Sequence, residues 1–126
     1  MQHYDPEQAP DAREWLALDE TERYRLVEDF HARAGTYEKN RQLHAKFHAA
    51  VETQLAEGIA PVKAAFLRLR DNGLSRHDAV RAIAAVLAEH SAQRMDAPEI
   101  PSRDYLSALE SLTAGTWRQP AGGSGA

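Results

Sequence analysis

Leu43, Phe47, Val51 and Leu55 recur at steps of four residues, the spacing that lines one face of an α-helix with apolar side chains. They predict the strongest helix of the chain over residues 40–56, with Asn40 as its cap and Gly58 and Pro61 interrupting the pattern after it. Weaker versions of the same rhythm flank it. Asp11 with Glu14 three residues on marks a start for a short helix carrying Trp15, Leu16 and Leu18. Asp19 caps the next, whose inward positions are Tyr24, Val27, Phe30 or His31, and Ala34, with Gly35 as its stop. Val62, Phe66 and Leu69 predict a short helix ending near Asn72-Gly73. Ser75, with Asp78 behind it, caps a helix that turns Val80, Ile83, Ala84 and Leu87 to the core and runs to about His90 or Arg94. Pro98 and Pro101 mark a linker, and Ser102 opens a brief terminal helix with Leu106, Leu109 and Leu112. The expected fold is all-α: a compact bundle of about five helices over 11–116, between an irregular amino-terminal arm at 1–10 and a flexible, glycine-rich tail at 117–126.

A chain of 126 residues, 43% hydrophobic and 27% charged, is the size of one domain. Burying roughly two thirds of its unfolded surface makes its few aromatics, Trp15, Tyr24, Phe30, Phe47 and Phe66, disproportionate contributors to packing. A net charge of -4 gives no general attraction to nucleic acid or anionic membrane. No apolar run reaches the roughly twenty residues that span a bilayer, and the amino end is acidic and polar where a secretory signal would be basic and then apolar. The expectation is a cytoplasmic protein. It has no cysteine and so no thiolate or disulfide chemistry.

The candidate chemistry sits on the strongest helix. His44, His48 and Glu52 follow one another at four-residue steps, which stacks them along one side. On a helical wheel the two histidines fall at the shoulder of the apolar stripe, and Glu52 drifts towards the polar side. A second polar cue, Ser75-Arg76-His77-Asp78-Ala79-Val80-Arg81, opens the later helix.

The segments 41–55 and 76–83 resemble a small bacterial helical family of uncharacterised function with paired-histidine helix motifs, over the central half of the chain. In that family pattern a histidine pair and a glutamate on one helix accompany a second histidine pair on another. His44, His48 and Glu52 match the first group and His77 the first member of the second, while Arg81 stands where the other histidine is expected. A guanidinium is a poor metal ligand, so Arg81 is read as a surface ion pair or a plain solubility residue, with anion binding or neutralisation of Glu52 as the alternative. If the two helices pack together, His44, His48 and His77 with Glu52 form a mixed nitrogen and oxygen shell for one divalent metal, zinc, iron or manganese; the plainer reading is that His44 and His48 are partly buried helix-interface residues satisfied by Glu52, backbone groups or water, and that His77 serves a capping, surface or interhelical hydrogen-bond role. With an open coordination position, such an ion lowers the pKa of bound water, and Glu52 serves as a base when it is not itself a ligand.

No reaction follows from this. The chain lacks His-Glu-x-x-His, the paired carboxylate and histidine helices of a diiron bundle and a glycine-rich phosphate loop. The competing expectation is a metal-independent interaction or oligomerisation module that meets a protein partner or a second copy through Trp15, Phe66, Leu106, Leu109 or the Trp117-Arg118-Gln119 segment. A weaker alternative is a nucleic-acid-associated regulator using Arg76, Arg81, Arg94 and Arg103. Arg68 and Arg70 are read as solvent-facing, and His90 as an interior or interface histidine.

Overall fold

A computed structural model describes residues 1–34, 41–90 and 101–118, and these form seven α-helices and one 3-10 turn with no strand. The helices are α1 (Ala12–Ala17), α2 (Glu20–Ala34), α3 (Arg41–Ala56), α4 (Ala60–Asp71), α5 (Arg76–His90), α6 (Arg103–Ala108) and α7 (Ala114–Arg118), with the 3-10 turn at Leu109–Ser111 between the last two. The all-α class stands. The helix count exceeds the expected five because the carboxyl-terminal segment breaks into three short pieces. Gly35, Asn40, the 91–100 segment with Arg94 and Pro98, and the tail from Gln119 lie outside the described residues.

The starts follow the capping chemistry in the sequence. Side-chain oxygens of Asp11, Asp19, Ser75 and Ser102 accept from the backbone N–H of Glu14, Glu22, Asp78 and Tyr105, each three residues on. The ends of α3 and α4 share one device. Gly58 N–H donates to Leu55 and Ile59 N–H to Gln54; Gly73 N–H donates to Arg70 and Leu74 N–H to Leu69, so each helix closes in the paired pattern of a Schellman motif. Both glycines have positive φ, 71° and 100°. A Cβ at Gly73 would meet nothing within 4 Å, so the penalty of Gly73→Ala is backbone strain alone. It is expected to cost about 1–2 kcal/mol by denaturant melt, and an unchanged midpoint would show that the α4–α5 junction relaxes freely.

Helix α3 is the centre, touched by α1, α2, α4 and α5. Two apolar clusters lie on its different sides. Ala45 and Ala49 join Tyr4, Trp15, Leu26 and Val27 in one; Phe47, Ala50 and Val51 join Val62, Leu69, Val80, Ile83, Leu87, Tyr105 and Leu109 in the other. At 100° per residue, positions 48 and 52 fall between these two faces. The polar pair His48 and Glu52 therefore runs along the seam between the clusters. Contrary to the expectation of a drift to the polar side, Glu52 is only 1% exposed: a helix surrounded by four others has little polar side at this level.

Other expectations change with packing. The arm at 1–10 has no helix but is not loose: Tyr4 is buried among Trp15, Phe30 and His48. At the other end, ordered chain extends through Arg118, with Trp117 packed against the core and beneath the Arg81 guanidinium. His90, expected as an interior or interface histidine, is not interior: it is exposed at the last position of α5. Arg68, expected in solvent, reaches the carbonyls of Leu109 and Leu112 and satisfies acceptors at the end of the 3-10 turn. Among the described residues no helix is long and apolar enough to cross a membrane.

Candidate metal centre

Three helices each bring one histidine to the seam. His31 comes from the last turn of α2, His48 from the middle of α3 and His77 from the first turn of α5. Each offers one ring nitrogen, and these atoms lie within 4.8 Å of one another. The rings are close-packed, with centroids 5.5 Å apart for His48 and His77, 5.6 Å for His31 and His48, and 6.5 Å for His31 and His77. His31 and His48 are 6% and 3% exposed, and His77 is half-buried. Phe30 packs edge-on against both His31 and His77 and walls the cluster on one side. Among the described residues the Nε2 of His77 has no hydrogen-bond partner and is buried; the Nδ1 of His31 is buried as well.

Behind His48 runs a chain of polar contacts. The Tyr4 hydroxyl lies 2.8 Å from His48 Nε2 and donates to Glu52 Oε2. Arg76 donates to both oxygens of the same carboxylate, at 2.7 and 2.8 Å, in the bidentate geometry that suits a guanidinium. It also donates to the Pro6 carbonyl at 2.9 Å and lies over the Phe66 ring. Arg76 is 8% exposed, so the basic surface suggested for nucleic acid loses this member to the interior. Arg76, five residues before Arg81, is the residue that neutralises Glu52, which removes that alternative for Arg81 and leaves it the expected surface ion pair. Arg81 is exposed, 3.3 Å from Asp78 and over Trp117.

The amino-terminal arm straps this arrangement. Besides Tyr4 and Pro6, Glu7 accepts from the His77 backbone N–H at 3.3 Å. Trp15 is anchored nearby by its own donor to Thr53, which in turn donates to the Ala49 carbonyl.

Of the four ligands expected from the sequence, the structure unites His48 and His77. It leaves His44, one turn before His48 on α3, exposed, and ties Glu52 to Arg76 and Tyr4. The third histidine is His31, which the helical rhythm marked only as one of two inward-facing choices. The Tyr4 role carried no signal in the sequence, because an isolated tyrosine in a segment without periodicity does not reveal what it touches.

Burial and neighbouring positive charge favour the neutral forms of His48 and His77. Burial, reinforced by the charges of His77, His31, Arg76 and Arg81, holds His48 well below the ordinary 6.5. Burial and then Arg81 lower His77, against opposing pulls from Asp78, Glu7 and Asp5. Burial first, and then Glu52, pushes the Tyr4 phenol well above its usual value, so it remains a donor. The unfolded chain, in which histidines titrate near 6.5, therefore binds more protons in acid than the folded one. The contribution is complete above pH about 6.5 and is lost as the pH falls towards the depressed folded-state pKa. Thermal midpoints measured without metal should fall between pH about 7.5 and about 5.5, and less steeply for His48→Gln; equal slopes in both proteins would contradict a neutral, buried His48.

No family model matches the chain, and neither the curated proteins nor the solved structures searched gave a match.

Proposed function

We propose that this protein binds one divalent transition-metal ion through His31, His48 and His77. The observation that carries the reading is the convergence of three imidazoles from three separate helices to within 4.8 Å, at a place where His77 Nε2 is buried with no hydrogen-bond partner among the described residues. Packing alone does not account for that nitrogen, since a buried polar atom left unpaired costs about 1–3 kcal/mol. Sharing a tetrahedral ion at about 2.0–2.1 Å per bond requires the nitrogens to close to roughly 3.3 Å.

Three neutral nitrogen donors without a carboxylate suit zinc or iron, and equally copper or nickel, better than manganese. A tetrahedral ion held by three histidines keeps its fourth position for water or an external ligand, and the water becomes a stronger acid there. Glu52 is not placed to serve as ligand or base, because Arg76 and Tyr4 occupy its oxygens. The reading therefore ends at metal binding and assigns no reaction.

The interaction-module alternative rests on less. Among the described residues the large apolar side chains left exposed are Leu16 and Leu67, on α1 and α4, and scattered single residues of this kind are ordinary on protein surfaces.

Elemental mass spectrometry after gentle purification, controlled reconstitution and dialysis tests the proposal. The expected result is about one equivalent of metal in the wild type and a large loss in His31→Ala and in His77→Ala. Metal at background in the reconstituted wild type would overturn it.

A further inference from the structure

We infer that Tyr4 is a positioning residue for this site: it fixes His48 as the Nε2–H tautomer, so that Nδ1 is the atom His48 presents to the ion. This rests on the metal reading above and adds to it which nitrogen binds and what orients the ring. Arg76 donates to both oxygens of Glu52, so the carboxylate is an acceptor on each of them. Tyr4 has a single hydroxyl proton, and its contact with Glu52 Oε2 uses it. Towards His48 Nε2, 2.8 Å away, the phenol oxygen can then only accept. The hydrogen between them belongs to Nε2, and a neutral imidazole protonated there carries its lone pair on Nδ1.

A metal-binding histidine is commonly oriented in this way, by an outer partner that holds its other N–H. Here the partner is unusual in its delivery. Tyr4 belongs to a segment with no helix of its own, pinned by Arg76 through Pro6 and by the start of α5 through Glu7. Its ring packs on Trp15 at 5.6 Å and Phe30 at 6.4 Å. Loss of the hydroxyl alone should leave that packing in place, which makes Tyr4→Phe a clean probe.

The test uses the full chain, wild type and Tyr4→Phe, with Zn2+ as the probe. Nitrogen–proton correlation spectra of the imidazoles in the metal-free wild type should show His48 protonated at Nε2, and in the Zn2+-loaded protein a coordinated Nδ1 with the Nε2 proton retained. In Tyr4→Phe the tautomers should mix, and Zn2+ affinity should fall about 10–100-fold with the helical signal unchanged. A proton on Nδ1 in the wild type, or equal Zn2+ affinity in the two proteins, would overturn the inference while leaving the metal site intact. Failure of the wild type itself to take Zn2+ would overturn the metal reading and the positioning role with it. If Tyr4→Phe lost its fold, the wild-type spectra alone would decide, with Nδ1–H the overturning result.

Discussion

Replacing Arg76 with methionine is expected to lower stability by about 3–5 kcal/mol, the loss that follows when one partner of a buried ion pair is removed and the other is left in place. The stem of methionine fills much of the same space, so the effect isolates the guanidinium. Three acceptors lose an Arg76 N–H at once, both oxygens of Glu52 and the carbonyl of Pro6, and only Oε2 keeps another donor, the Tyr4 hydroxyl. Glu52, at 1% exposure, has no solvent to turn to. For a domain of this size the loss corresponds to a fall in thermal midpoint of roughly 10–20 °C, out of a total stability of about 5–15 kcal/mol. The double variant Arg76→Met/Glu52→Leu should recover much of it, because a buried pair replaced whole by apolar side chains is often neutral. A loss below about 1 kcal/mol in Arg76→Met would place the pair among exposed ones and contradict its position in the seam.

The second large effect falls on metal uptake. His48→Ala should weaken Zn2+ binding by more than about 100-fold, because disturbing only the outer partners of a ligand already costs about 10–100-fold. His31→Ala should match it. His44→Ala should leave the affinity unchanged, since His44 is exposed and outside the cluster. This contrast separates two accounts. The four-residue spacing on the helix puts His44 beside His48, whereas packing across helices puts His31 and His77 there. Calorimetric titration of the four proteins distinguishes them, and a loss confined to His44→Ala and His48→Ala would favour the single-helix motif.

That contrast also marks how far the sequence could be read. Element types and starts were legible because they are local: Asp11, Asp19, Ser75 and Ser102 cap through contacts three residues away. The positions of His48 and His77 were legible as polar groups near apolar stripes. The rest depends on contacts between residues far apart in the chain. Glu52 looked polar-facing because a helical wheel assumes one buried side, and α3 is enclosed by four helices. Arg76 looked like part of a phosphate-binding surface because nothing local connects it to a carboxylate 24 positions earlier. Tyr4 lies 44 positions from His48 in a segment with no periodicity to read. His31 was visible only as one of two candidates for an inward position, and its value emerges when α2, α3 and α5 meet.

X-ray absorption at the metal edge of the protein loaded with one equivalent of Zn2+ tests the central claim most directly. The account predicts three imidazole nitrogens at about 2.0–2.1 Å with a fourth, exchangeable light-atom ligand, and a reduced imidazole count in His31→Ala. A shell of six oxygens, or one imidazole and carboxylates, would contradict a site built from His31, His48 and His77.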